Sequence, residues 1–180
     1  MAKRKTKNKG QKFTGKPDKI KISACYMVKN GEEDLRRSLE SLAKYVDEII
    51  VVDTGSTDGT VAVAEEFGAK IFHEPWQDDF SAPRNVAIKN ATGDWIVFLD
   101  ADEHFLLNAA ENLRPSIQLA VQRRKVALLI ELTNIDLDDK HNTLNSTYLC
   151  RAFKRGMKYV GKIHEELRTE DDRPIDKFLM

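Results

Sequence analysis

Apolar and polar positions come in blocks along this chain, and the period of the blocks changes along its length. Residues 21–28 (KISACYMV) are largely apolar and stop at Lys29-Asn30-Gly31, the pattern of a strand covered on both faces. Leu35, Leu39, Leu42 and Val46 then recur at steps of four, three and four, one stripe of an amphipathic helix. Glu32, Glu33 and Asp34 suit its dipole-positive start. Residues 48–53 (EIIVVD) predict a second buried strand. TGSTDGT, residues 54–60, turns into a helix with Val61, Ala64 and Phe67 inward and Gly68 as its cap. Residues 69–73 predict a third strand and 82–90 a short helix closed by Gly93. In DWIVFLDADEH, residues 94–104, the apolar run Ile96 to Leu99 drives straight into Asp100 and Asp102. A helix from about Asn108 carries Leu113, Ile117 and Val121, and Pro115 falls early enough to be tolerated.

Beyond that helix the rhythm changes. Residues 126–132 and 146–153 predict strands joined by a polar stretch without helical pattern, and 157–161 a third short strand. These read as antiparallel additions to a parallel sheet. The preceding β-α-β-α-β order implies right-handed crossovers and a doubly wound sheet. Ligands of such sheets bind outside the carboxyl ends of the strands. Asn30, Asp53 and Asp100 all fall at those ends, more polar strand ends than turns alone require.

Composition narrows the class. The chain has 180 residues, 41% hydrophobic and 32% charged, which suits a single globular domain at 21–180. No apolar run approaches the roughly 20 residues that cross a bilayer, and no apolar segment follows the N-terminal charges as in a secretory signal. Cys25 and Cys150 sit in apolar segments and read as packing residues of a cytoplasmic protein. The net charge of zero hides an asymmetry: residues 1–21 hold nine Lys/Arg against Asp18 alone. The leader, residues 1–20, is too basic and too poor in apolar residues to fold by itself. It suits contact with anionic lipid, at the inner face of a membrane. With Phe13 its only aromatic residue, no nucleic-acid partner is expected.

Asp100 and Asp102 at D-x-D spacing can bind a hard cation, Mg²⁺ or Mn²⁺, through oxygen. A capping or turn pair is the plainer alternative. A phosphatase of the haloacid-dehalogenase type also places D-x-D after an apolar strand, but its motif opens the domain. Asp53 with TGSTDGT is either a capped turn or a carboxylate that accepts a hydrogen bond from a nucleotide base. It is not a P-loop, since no Gly-Lys-Ser/Thr follows. IHEEL, residues 163–167, is not a zinc-protease helix, because Arg168 stands where the second His would be.

Read together, CYMVKNGEEDLRRSLESL, VDEIIVVDTGSTDGT, FSAPRNVAIKNATGDWIVFLDADE and GKIHEEL resemble the glycosyltransferase family 2 enzymes with the GT-A fold. The resemblance runs from about Ile22 to Leu167. It implies an α/β fold of GT-A type, a Rossmann-like and mostly parallel sheet flanked by helices, with antiparallel additions at the C-terminal end. It also implies metal-dependent, inverting transfer of a sugar from a nucleotide-diphosphate donor, most simply a UDP-sugar, to a glycan, lipid-linked or protein acceptor. In the family's pattern Asp53 contacts the donor base, Arg84 the base or diphosphate, Asp100 the ribose or metal, and Asp102 is the main metal ligand. Asn30 and Glu32 match the family's Asn-Glu donor contact, although Gly31 intervenes here. Glu165 is the matching general base, with Glu166 and Asp79 as rivals, and His164 touches metal or diphosphate. Family members generally continue further, so the 21–180 domain is expected to be short at its acceptor end. A donor-binding domain without catalysis, or a phosphatase or nucleotidyltransferase using the same carboxylates, are the alternative readings.

Overall fold

The computed structural model describes residues 20–106, 109–135, 143–172 and 175. The basic leader, apart from Ile20, therefore lies outside the described residues. Four parallel strands form the centre: β1 (Ile22–Val28), β2 (Glu48–Asp53), β3 (Lys70–His73) and β4 (Trp95–Asp100). With β5 (Ala127–Ile135) and β6 (Thr143–Lys154) they make one sheet of order β3-β2-β1-β4-β6-β5. β6 runs antiparallel to β4 and to β5. The expected antiparallel additions are present.

Strict alternation along the central strands feeds two cores. Ile22, Ala24, Tyr26 and Val28 of β1, Ile49 and Val51 of β2, and Trp95, Val97 and Leu99 of β4 point to one face. There they meet α1 (Glu32–Leu42), α2 (Thr60–Glu66) and α4 (Leu113–Gln122). Cys25, Ile50, Val52, Ile96 and Phe98 point to the other face, against α3 (Ser81–Asn90). With both faces covered, the strands read as apolar runs rather than as an alternation.

The path explains which helix takes which face. Moving from β1 to β2 to β3, right-handed crossovers put α1 and α2 on one side. The return from β3 to β4 reverses direction and puts α3 on the other. The reversal leaves a crevice between the carboxyl ends of β1 and β4, the switch point where ligands of such sheets bind.

Several sequence expectations shift here. In α4 the buried side chains are Leu113, Ile117 and Ala120, while Val121 is exposed. Two steps of four drift about 80° around a helix, whereas a step of seven drifts about 20°, so Ala120 keeps the stripe. A 3₁₀ turn at Ala109–Asn112 precedes α4, and Asn108 lies outside the described residues. In α2 Ala64 is buried as expected and Phe67 packs half-buried against the same core, but Thr60 and Val63 are buried where Val61 was expected. Gly68 does sit in the left-handed region after α2, with φ +69. The strand at Met157–Val160, β7, does not extend the main sheet. It pairs antiparallel with β8 (Glu166–Thr169) in a separate ribbon. Its Met157 and Tyr159 are buried in the α3-side core, so β7 covers a face rather than an edge.

Glu48, at the start of β2, is a buried carboxylate held by four donors. Its oxygens accept hydrogen bonds from Ser23 Oγ at 2.5 Å, Lys70 Nζ at 2.7 Å, Thr92 N at 2.7 Å and Thr92 Oγ1 at 2.9 Å. Burial by itself would raise its pKa, but the bonds from Lys70, Ser23 and Thr92 outweigh burial and bring it from 4.5 to about 2. A depressed carboxylate stabilises the fold above its unfolded pKa, and that contribution is lost as pH falls through the folded value. The difference in urea midpoint between wild type and Glu48→Gln is therefore expected to be constant above about pH 4.5 and to shrink between there and about pH 2.

Candidate active site

The crevice at the switch point is a cleft of about 370 Å³ whose lining includes Asn30, Gly31, Phe80, Arg84, Asp100 and Asp102. β1 and β4 deliver its two walls, and α3 delivers Arg84. A groove of about 540 Å³ lies at the opposite edge, near Lys89, Arg155 and Lys158. It is larger, but its lining is mainly basic and apolar, with Glu170 its one carboxylate.

Arg84 organises the cleft. It is 5% exposed, and its guanidinium lies over the rings of Phe98 (4.8 Å) and Tyr159 (5.3 Å). Nη2 donates to Asp100 Oδ1 at 2.7 Å, and Nε is 2.8 Å from Glu165 Oε1. Nη1 is buried without a hydrogen-bond partner among the described residues. Asp100 uses its other oxygen on Arg151, whose Nη2 is 2.8 Å from Oδ2 and also contacts Glu103 Oε1. The result is one chain, Glu165–Arg84–Asp100–Arg151–Glu103, drawn from the β7–β8 turn, α3, β4 and β6. Burial pushes the Glu103 carboxyl above its usual range despite the opposing pull of Arg151. The charge that offsets Asp100 is thus a pair of guanidiniums, which leaves Asp102 as the exposed member of the acidic pair.

Asp53 closes β2 at the floor of the neighbouring turn. It is 5% exposed, with Oδ1 accepting from Ser56 N at 3.0 Å and Oδ2 lying 3.2 Å from His73 Nδ1. Burial would raise its pKa, but the bonds from Ser56 and His73 prevail and hold it below the usual carboxylate range.

Asn30 and Glu32 lace the β1–α1 loop to the β2–α2 loop. Asn30 Oδ1 accepts from Thr57 N at 2.7 Å, and Asn30 N donates to Ser56 Oγ at 2.8 Å. Asn30 takes φ +51, a left-handed conformation that Asn tolerates better than most residues. Glu32 Oε2 accepts from Gly59 N at 3.0 Å, and a Cβ at residue 59 would lie 2.5 Å from that carboxylate. A side chain at residue 59 would push the Glu32 carboxylate aside and break that bond.

The three carboxylates weighed as base have different surroundings. Asp79 Oδ1 accepts from Ser81 N at 2.9 Å and Ala82 N at 3.2 Å, capping α3. Glu166 is exposed and pairs with Arg168 at 3.1 Å. Glu165 alone joins the Arg84 chain, with its side chain 16% exposed. His164, beside it, is exposed at φ +56. Sequence reasoning singled out Arg84, Asp100 and Glu165 separately, and the fold brings them into contact. It missed Arg151, Glu103 and His73. The arginine in LCRAF was a signal, since a cation beside Ala152 and Phe153, in a strand otherwise read as packing, needs a buried partner.

A family model described as glycosyl transferase family 2 matches residues 23–171. The chain belongs to that family. Among relatives, 167 residues are 30% identical to an uncharacterized glycosyltransferase of Rickettsia felis, covering 80% of this chain and 59% of the relative. The SPbeta prophage-derived glycosyltransferase SunS of Bacillus subtilis is 34% identical over 161 residues, 84% of this chain and 36% of SunS. A TPR repeat-containing protein of Synechococcus elongatus is 53% identical over 96 residues, 53% of this chain and 24% of the relative. The chain thus spans between a quarter and three-fifths of the length of these relatives. Among solved structures, S. aureus TarS 1-349 in complex with UDP-GlcNAc superposes with a TM-score of 0.58 at 28% identity, covering 66% of this chain and 36% of TarS. The GT-A architecture expected for a family 2 chain is borne out, down to the mostly parallel sheet flanked by helices. Among the described residues no helix is long and apolar enough to cross a membrane.

Proposed function

We propose that this family 2 domain transfers a sugar, with inversion, from a UDP-sugar to an acceptor hydroxyl or similar nucleophile. The observation that carries the reading is the ion-pair chain at the switch point. It brings a carboxylate (Glu165), a buried guanidinium with one unused donor (Arg84) and the acidic strand end (Asp100, Asp102) to one crevice. The binding of UDP-GlcNAc by the similar TarS supports a UDP-sugar as donor.

In this reading Asp53 accepts from the base and Asp100 meets the ribose. Asn30 and Glu32 shape the donor edge. Arg84 offers Nη1 to the diphosphate, and His164 lies beside it. No group of three or more His, Cys, Asp or Glu able to hold a metal occurs among the described residues. That still fits Mg²⁺ or Mn²⁺, which are bound through one or two carboxylates together with substrate phosphates. Asp102, open to solvent, is the residue that would hold the ion, with Asp100 behind it. A divalent ion there supplies charge neutralisation for the departing diphosphate. The chain's own residues do the rest. Glu165 takes the acceptor's proton as the acceptor oxygen bonds to the anomeric carbon. The bond from that carbon to the β-phosphate oxygen breaks, and its electron pair leaves with UDP. Arg84 fixes the position of the base. The same reading has a cytoplasmic domain whose basic leader meets anionic lipid.

Incubation with UDP-GlcNAc and Mn²⁺ or Mg²⁺ is expected to release UDP, and UDP with metal is expected to raise the melting temperature. Release of inorganic phosphate instead would establish the phosphatase alternative. Stabilisation without release would make the domain a donor binder.

A further inference from the structure

We propose that Arg151 is a positioning residue that sets the Asp100–Asp102 turn for the donor's metal-bound diphosphate. The inference rests on the reading of Asp102 given above. Arg151 stands on β6, antiparallel to β4 and outside the parallel half that carries the nucleotide contacts. Its side chain is 14% exposed, and its Nη2 serves Asp100 and Glu103 together. Glu103 Oε2 in turn accepts the N–H of Asp100 at 3.3 Å, which ties the two ends of the turn to each other. From the opposite side α1 grips the same segment: Ser38 Oγ donates to Glu103 O, and Phe105 N donates to Ser41 Oγ at 3.1 Å. The turn is therefore held at residues 100, 103 and 105, and Asp102 is its exposed apex.

Of these ties, Arg151 is the one that offsets charge. Two guanidiniums stand against the three carboxylates of the chain. With Arg151 gone, Asp100 and Glu103 face each other in a largely dry position with Arg84 alone nearby. Two like charges that close do not both stay in place, so one end of the turn swings toward water and carries Asp102 with it. Groups that orient a metal ligand in this way, without touching the metal, typically change metal affinity by about 10- to 100-fold.

The test is calorimetric titration of UDP into the full chain, once with Mn²⁺ and once with chelator, for wild type, Arg151→Met and Arg151→Lys. Mn²⁺ is expected to tighten UDP binding in wild type. Arg151→Met is expected to lose about 10- to 100-fold of that gain, a loss larger than any change in UDP affinity measured in chelator. Arg151→Lys is expected to recover part of the gain, because an ammonium restores the charge but lacks the fork that serves two carboxylates. A purely structural arginine gives a different result: lower melting temperature with the Mn²⁺ gain intact, or equal losses with and without metal. Either outcome overturns the proposal. Should Arg151→Met lack a cooperative melt, the same ratio in Arg151→Lys decides. A wild type without any Mn²⁺ gain refutes the metal role of Asp102 itself, and this inference with it.

Discussion

Asp102→Ala is expected to lower Mn²⁺-stimulated release of UDP from UDP-GlcNAc by about 100-fold or more and to leave the melting temperature unchanged. The two halves of this expectation have separate causes. Asp102 is exposed at the apex of its turn, and a surface substitution away from caps, cavities and ion pairs usually changes stability by no more than about 0.5 kcal/mol. Its neighbour is different. Asp100 spends both oxygens on guanidiniums, one buried and one partly buried. Its removal is expected to cost stability, though less than the about 3–5 kcal/mol of a fully buried pair, because its own side chain is 31% exposed. Asp100→Ala would therefore confuse folding with chemistry, and Asp102→Ala does not. A metal titration of the rate completes the measurement. An Asp102→Ala protein that releases UDP at the wild-type rate removes the metal from Asp102.

Glu165→Gln is expected to slow UDP release by about 10²- to 10⁴-fold, the usual worth of a positioned proton acceptor, with water standing in for the acceptor. Gln keeps the shape of the side chain and an oxygen for the Arg84 contact but loses the charge paired with that guanidinium. UDP affinity is therefore expected to stay near the wild-type value while the melting temperature falls. What it lacks is the capacity to take a proton. A rate close to wild type would transfer the role to another carboxylate, and Asp79→Asn and Glu166→Gln are the comparisons to run beside it. Asp79 caps α3 through an oxygen that Asn keeps, so its variant is expected to leave the start of that helix and the rate near wild type. Glu166 faces solvent, so its variant is expected to be silent.

The parallel half of the fold was legible because its strands are buried on both faces and therefore appear as apolar blocks. EIIVVD spans β2 residue for residue. The face of a helix was harder to read. Val121 looked inward by spacing, yet Ala120 holds the stripe, because small residues give little signal in an apolar pattern. The ribbon of β7 and β8 was half-hidden. Strand periodicity in EELRT is too short to register, so IHEEL was read for its chemistry alone. In the site, residues at strand ends could be located from the order of the elements, as with Asp53 and Asp100. Arg151 could not, since its partners lie 51 and 48 residues away, at the end of β4 and in the turn after it, and register is a property of the folded sheet. Asn30 and Glu32 were read as donor contacts. Their bonds to Thr57 and Gly59 are made across a loop pair whose apposition only the tertiary fold creates.

The manner in which the β7–β8 ribbon is attached has a consequence of its own. Among the described residues no backbone ladder joins it to the large sheet. Asn85 of α3 grips it with a two-way amide clasp, donating to Tyr159 O at 2.9 Å and accepting from Tyr159 N at 2.8 Å. One residue earlier on the same helix, Arg84 reaches both Asp100 and Glu165. On the proposed reading, a single helical segment thus acts as the gauge between proton acceptor and leaving group. If that helix slides when a donor enters, both travel as one carriage, and the gap the acceptor must occupy keeps its width.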